Sequence, residues 1–343
     1  MTDDIPSTIP AVLTRAGGPI EGPDSLVDAT IPTPAAPTGH DLLVKLSAIS
    51  VNPVDAKIRV GGPGDDDDKV LGWDAAGVVV ATGPDTHLFH PGDKVYYAGS
   101  VDRPGCYQRF QLVDERIVGH QPHSLNDEQA AVLPLTGLTA WEGLFDKFGL
   151  DEFSSGTLLV IGAGGGVGSM VIQLAKALTG LTVIATASRP ESKAWAGELG
   201  ADHVVNYREG DLAEQVLAIA PDGVDHVYST RSQGMSSLLL DVTRPFGHIL
   251  LTDEPDDMNY SAFQGKALSC HWEFMFARPV FQTPDMVRQH EILDRIAELV
   301  DDGKIRTTLT KTLGPVNAQN LRAAHEALED GHVTGKIALT WTD

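Results

Sequence analysis

The chain has 343 residues, 42% of them apolar and 21% charged, with a formal net charge of −22. That length supports two domains with substantial cores, the composition is that of a globular protein, and the acidic excess argues against nucleic acid as a partner. Two cysteines, Cys106 and Cys270, leave no disulfide framework and rule out a four-cysteine zinc lobe. No stretch is apolar enough to span a bilayer, and Met1-Thr-Asp-Asp-Ile-Pro lacks the features of a signal peptide, so no membrane association and a cytoplasmic location are expected.

The first 40 residues are rich in Pro and Gly, with a short strand expected around 11–14. A longer strand is expected at 41–50, leading into Val51-Asn-Pro-Val-Asp55. The acidic run at 65–68, followed by Lys69, reads as a mobile surface loop, because like charges so close resist compaction. Strand signals recur at 76–81, 93–97 and 107–113 without long helices between them, so the first domain is expected to be β-rich and barrel-like.

From about Leu135 the texture changes to alternating strand and helix. Six apolar strands are expected, at 157–161, 181–186, 203–205, 225–229, 247–252 and 268–274, enough for a doubly wound α/β sheet. The helix at 286–302 and the segment 335–340 would overfill that sheet. They are expected to return to the first domain, giving 1–135 with 283–343 and 136–282 as the two domains.

The segment 158–168, Leu-Leu-Val-Ile-Gly-Ala-Gly-Gly-Gly-Val-Gly, runs from an apolar strand into an apolar helix. Gly162, Gly164, Gly165, Gly166, Val167 and Gly168 form the turn where a dinucleotide pyrophosphate would meet backbone N–H groups and the helix N-terminus. About twenty residues beyond Gly168, an NAD site would place an acidic residue on the ribose. Here stand Ser188, Arg189 and, one turn on, Lys193, a hydroxyl and two cations suited to the 2′-phosphate of NADPH. The alternative is that the two cations form a solvated helix face.

The motifs Ser50-Val-Asn-Pro-Val-Asp55, Leu71-Gly-Trp-Asp-Ala-Ala-Gly77, Pro91-Gly-Asp93, the Pro-Leu-Thr-Gly segment from Leu133 to Trp141, the glycine turn and Gly335-Lys336 carry a resemblance over nearly the whole chain. The sequence resembles the medium-chain dehydrogenase/reductase superfamily. It looks most like the quinone oxidoreductase branch and the zinc-type alcohol dehydrogenase-like proteins, whose Ala-Thr-Ala-Ser-Arg-Pro-Glu-Ser and His-Trp-Glu-Phe-Met-Phe signatures stand at 185–192 and 271–276. The resemblance implies a GroES-like first domain, a six-stranded Rossmann domain, a small-molecule quinone or enone substrate, and a homodimer formed edge to edge, with 247–251 as the edge strand.

It does not imply zinc. Zinc-dependent members place Cys near Asn52, His-Glu at Trp73-Asp74 and a further ligand near Leu135, whereas a catalytic zinc takes three protein ligands. The pairs His87/His90 and His120/His123 have ligand-like spacing and no obvious third ligand, so they read as surface histidines. Reduction of a quinone or an α,β-unsaturated carbonyl needs no Lewis acid, because hydrogen-bond donors can collect charge on the acceptor oxygen. Two other classes remain: a metal-dependent alcohol dehydrogenase, and an NADPH-binding sensor without catalysis.

Carried over by resemblance, Asn52 faces the substrate, although it equally suits a turn before Pro53. Asp55 is expected to be a structural acceptor. Thr136 falls beside the nicotinamide, Tyr207 near the 2′-phosphate, and Lys336 where a C-terminal Gly-Lys approaches the cofactor. Thr252 ends the fifth strand on the ligand-binding edge. Trp73 is expected to line the cleft, with Trp272 and Phe274 as its other wall or as core aromatics, and His271 to donate a proton after hydride transfer or to be satisfied structurally.

Overall fold

The computed structural model describes residues 5–64 and 68–342; residues 65–67, most of the acidic run, lie outside the described residues. The chain forms two units, Met1–Leu135 with Phe276–Asp343, and Thr136–Met275. The second break falls at 275/276 rather than at 282/283, because the Phe276 ring packs edge-on against Trp73 at 6.4 Å and belongs with the first unit.

The first unit opens with strands β1 (Thr8–Thr14), β2 (Val27–Pro32) and β3 (Asp41–Ser50), helix α1 (Pro53–Gly61), and strands β4 (Lys69–Val70), β5 (Ala75–Thr82), β6 (Lys94–Tyr97), β7 (Phe110–Asp114) and β8 (Val118–His120). In β3 the apolar residues occupy both faces, and Leu42, Val44, Leu46, Ala48 and Ile49 are all fully buried. That makes β3 the spine of the unit, paired antiparallel with β5 and β7. Its polypeptide turns into α1 at Asn52, where the Asp55 carboxylate accepts the Asn52 backbone N–H at 2.9 Å and Pro53 opens the helix with a pre-set φ.

The second unit begins within α2 (Pro134–Trp141), which continues as a π-helical turn over Glu142–Lys147. Then follow β9 (Ser155–Ile161), α3 (Gly166–Leu178), β10 (Gly180–Thr186), α4 (Pro190–Glu198), β11 (His203–Val205), α5 (Leu212–Ile219), β12 (Val224–Ser229), α6 (Ser236–Val242), β13 (Thr243–Leu251) and β14 (Ser269–Trp272). The six strands are parallel, in the order β11-β10-β9-β12-β13-β14. On one face Leu159, Ile184, Val227, Ile249 and Leu251 pack with Val216 and Leu239 of the helices. Residues 247–251, expected as the edge strand, are internal: β13 is hydrogen-bonded to β12 and to β14, and β14 is the outer strand.

The chain then returns to the first unit with α7 (Arg288–Asp301), β15 (Leu309–Pro315), α8 (Ala318–Glu329) and β16 (Lys336–Thr340). β16 inserts between β15 and β3, so the last strand completes the sheet begun by the first fifty residues. The apolar stripe of α7, Ile292, Leu293, Ile296, Leu299 and Val300, is buried, and the Tyr96 hydroxyl donates to the Leu293 carbonyl at 2.6 Å. Both cysteines are free, and among the described residues no helix is long and apolar enough to cross a membrane.

Candidate cofactor and active site

The turn after β9 is built around glycines that tolerate no side chain. Gly162 sits at φ +83°, and a Cβ there would lie 2.0 Å from the Thr230 hydroxyl. At Gly168 a Cβ would lie 2.5 Å from the Gly162 carbonyl oxygen. Gly165 caps α3 in extended conformation without a side-chain cap, so Gly166, Val167 and Gly168 supply the first turn. The N–H groups of a first turn lack intrahelical acceptors and carry partial positive charge, which suits a phosphate. Gly164 lies against Ser192 on α4, 3.1 Å from where its Cβ would be, and the Ser192 hydroxyl donates to the Arg189 carbonyl at 3.0 Å. The glycine turn and the start of α4 are therefore neighbours.

Ser188 and Arg189 follow β10 at the carboxyl edge of the sheet, both half-buried. The Ala187 N–H bonds to the Val205 carbonyl at 3.0 Å, which brings the end of β11 alongside. Tyr207, half-exposed, and Arg208 come directly after it. The Lys193 ammonium lies 3.7 Å from Glu209, so part of its charge is already answered. Thr252 follows β13 on the same edge, its N–H bonded to the Ser229 carbonyl at 3.1 Å. Thr136 lies in α2, 2% exposed.

In the first unit Asn52, Asp74 and Lys336 form one buried cluster. Asn52 donates its side-chain amide to the Trp73 carbonyl at 3.1 Å and to Asp74 Oδ2 at 2.9 Å. The Lys336 ammonium donates to the Val51 carbonyl at 2.9 Å, to Asp74 Oδ2 at 3.0 Å and to Asn52 Oδ1. Asp74 Oδ1 accepts the Leu135 N–H at 2.8 Å. Burial raises the Asp74 pKa, and the Lys336 charge and the hydrogen bonds oppose that rise.

Three expectations are corrected by this geometry. Both amide hydrogens of Asn52 are committed within the protein, so it is not a ready donor to a substrate oxygen. All three ammonium hydrogens of Lys336 are likewise committed, so it holds the strand end and is not a ready donor to a cofactor. Trp73 is fully buried with its indole N–H on the Ser100 carbonyl at 2.8 Å, and it forms core rather than a cleft wall.

Asp55 continues the polar interior, accepting the Tyr107 hydroxyl at 2.9 Å. The Arg59 Nε–H donates to His325 Nδ1 at 3.3 Å, which leaves the His325 proton on Nε2, 3.0 Å from the Tyr107 oxygen. The direction of the chain is thus Arg59 to His325 to Tyr107 to Asp55. Burial pushes the Asp55 carboxyl up to about 7 and the His325 imidazole down to about 3. Asp55 is the structural acceptor expected of it.

His271 is not placed as a proton donor. Its ring stacks on His248 at 5.5 Å, which stacks on His226 at 5.4 Å, and Phe148 packs against all three. Burial and the neighbouring His248 lower its pKa, the opposite of what an acid working near neutral pH needs. Trp272, on the other side of β14, is half-exposed and packs on Tyr260 at 5.6 Å; Phe274 is also half-exposed. Trp73 belongs to the core of the other unit.

The places of the family's zinc ligands hold one amide, one carboxylate already bonded to an ammonium, and the apolar Trp73 and Leu135, and they do not fit a zinc ion.

Fold and glycine turn together define a nucleotide-dependent dehydrogenase. Residues 38–123 match the alcohol dehydrogenase GroES-like domain family and residues 199–339 the zinc-binding dehydrogenase family. A zinc-type alcohol dehydrogenase-like protein of Staphylococcus aureus is 40% identical over 313 residues, 88% of this chain and 91% of that protein. A human mitochondrial NAD(P)H oxidoreductase is 31% identical over 88% of this chain and 81% of its own. Among solved structures, a putative zinc-dependent alcohol dehydrogenase protein from Rhizobium etli superposes with TM-score 0.94 at 45% identity, covering 98% of this chain and 99% of its own. An Escherichia coli quinone oxidoreductase complexed with NADPH superposes with TM-score 0.82 at 25% identity over 96% and 99%. This chain belongs to the medium-chain dehydrogenase/reductase superfamily. It is an NAD(P)H-binding oxidoreductase of the zinc-type alcohol dehydrogenase-like group, with quinone oxidoreductases among its structural neighbours.

Proposed function

We propose that this oxidoreductase uses NADPH to reduce quinones or α,β-unsaturated carbonyls by hydride transfer, without a metal ion. The observation that carries the reading is the Lys336–Asp74–Asn52 cluster, which fills the family's metal-ligand positions with a single, already neutralised carboxylate. A simple alcohol needs a Lewis acid to stabilise its alkoxide, whereas an activated acceptor takes hydride while hydrogen-bond donors collect the charge on oxygen. Preference for NADPH is supported by Ser188 and Arg189 after β10, by Tyr207 and Arg208 after β11, and by the lack of an acidic residue at the end of β10. Thr136 and Thr252 are assigned to the nicotinamide half of the cofactor. The outer strand β14 is assigned as the edge on which a second copy pairs.

The test follows absorbance of the reduced cofactor with NADPH or NADH, ortho-quinones, para-quinones and enones, with chelator present throughout. Chelator-resistant oxidation of NADPH in preference to NADH is expected. NADPH binding with no acceptor reduced would replace this reading with that of a sensor, and turnover lost to the chelator with that of a metal enzyme.

A further inference from the structure

We propose that the first unit carries a transition-metal site of the zinc class on its surface, formed by His120 at the end of β8 and by His290 and Asp294 one turn apart on α7. Among the described residues this is the group of three whose ligand atoms all fall within 4.8 Å of one another. It is separate from the Asn52 cluster and rests on none of the reasoning about hydride transfer.

The argument starts from hydrogen-bond polarity. His290 Nδ1 lies 2.7 Å from the Val118 carbonyl oxygen, which only accepts, so Nδ1 carries the proton. The lone pair of Nε2 then faces Asp294 Oδ2, 3.5 Å away, a gap that a second proton on the imidazole or a metal ion closes. His120 Nδ1 lies 3.1 Å from the same carboxylate oxygen and 3.2 Å from the other, so it carries a proton here that a metal ion would displace on binding. Bonds of 2.0–2.1 Å to a tetrahedral zinc place neighbouring ligand atoms about 3.3 Å apart. The two measured edges bracket that value and the third, between the imidazoles, is within 4.8 Å, so an ion is reached by rotation of the imidazoles.

The surroundings hold these groups in place. The Val118 carbonyl is the outer partner that fixes the tautomer of a metal-binding imidazole. Phe89 packs on the His120 ring at 4.5 Å and on the His290 ring at 5.4 Å. Asp294 Oδ1 accepts the His120 backbone N–H at 2.8 Å. The helix comes this close because β8 carries Gly119, where a Cβ would lie 2.4 Å from the Leu293 side chain. Three ligands leave the remaining positions to water, and the ion would pin the returning helix to a strand laid down some 170 residues earlier.

The experiment uses full-length protein stripped with chelator and titrated with zinc chloride by calorimetry, with cobalt chloride as an absorbance probe. Wild type is expected to bind one ion, to show cobalt d–d bands and to melt at higher temperature in zinc. His290→Ala and His120→Ala should weaken binding at least about 100-fold, above the usual cost of losing an outer-shell partner. Asp294→Asn keeps the acceptor for the His120 N–H, so it tests the site even where an alanine variant fails to fold. His123→Ala, whose backbone N–H bonds to Asp301, should bind like wild type. Wild type that takes up no zinc, or Asp294→Asn that takes it up equally with the same cobalt spectrum, would overturn the proposal.

Discussion

Lys336→Met isolates the energetics of the buried cluster. The side chain of Lys336 is 5% exposed and that of Asp74 0%, so the variant leaves a carboxylate with no counter-ion and no water. It also strips the Val51 carbonyl and Asn52 Oδ1 of a donor. Breaking a buried ion pair by removing one partner costs about 3–5 kcal/mol. At the usual scaling for a domain of 150–250 residues this is a melting-temperature loss of about 6–20 °C. The loss depends on pH with a definite sign. Asp74 is raised above its unfolded value, so its penalty is absent below the unfolded carboxylate range and grows as pH rises. Differential scanning calorimetry of wild type, Lys336→Met, Asp74→Asn and the double variant should therefore show a deficit larger at pH 8 than at pH 5. The double variant should be less destabilised than the sum of the singles. A Lys336→Met protein that melts with wild type at pH 8, or strictly additive effects, would refute the reasoning.

Arg189→Ala should weaken NADPH by about 10- to 100-fold, the worth of a charge-assisted hydrogen bond, and leave NADH nearly unchanged in the same fluorescence titration. Gly162→Ala, forced to φ +83° and into Thr230, should weaken both cofactors alike and cost about 1–3 kcal/mol of stability by denaturant titration. His226, lowered to about 4 by burial and by its neighbour His248, takes up its proton more readily in the unfolded chain. Stability should thus rise with pH between about 4 and 6.5, by up to about 3 kcal/mol from this residue, and His226→Phe should flatten that slope in urea melts. Light scattering after size exclusion should give a dimer, and a Trp272→Arg change on the outer strand should shift it toward monomer; a monomeric wild type would remove β14 from the assembly.

The nucleotide-binding unit was legible because its signals are local. Each buried strand is a continuous apolar run, the glycine turn has fixed spacing, and the six expected strands match the six in the sheet to within a few residues. The first unit was less legible: β2, β8 and β15 carry weak apolar patterns, and their pairing is decided by distant partners. The bonding inside the buried cluster was hidden in sequence for the same reason. Asn52, Asp74 and Lys336 lie far apart in the chain, and nothing local says that the amide hydrogens of Asn52 end on Asp74 rather than on a ligand. The family pattern that placed Trp73 at a cleft could not show that its indole is spent on Ser100. A signal did exist: a lone carboxylate inside the apolar 71–77 segment needs a cation, and Lys336 opens an apolar strand. His120 was read as lacking a third ligand for the same reason, since His290 and Asp294 come one helical turn apart but 170 residues later.

The insertion of β16 between β15 and β3 sets an order on biosynthesis. The spine strand β3 leaves the ribosome early, yet its neighbour and the ammonium that answers Asp74 emerge last, about 200 residues after the first run of the β-rich unit ends. At ribosomal speeds that is a wait of roughly 10–40 s, during which β7 already covers residues 41–45 of β3 while Ala48, Ile49 and Ser50 lack the strand that pairs them. The nucleotide-binding unit is continuous in the chain and is under no such constraint. Any interruption of translation before residue 336 thus releases a chain in which the cofactor-binding half can close while the other half holds an exposed strand edge and an unanswered charge.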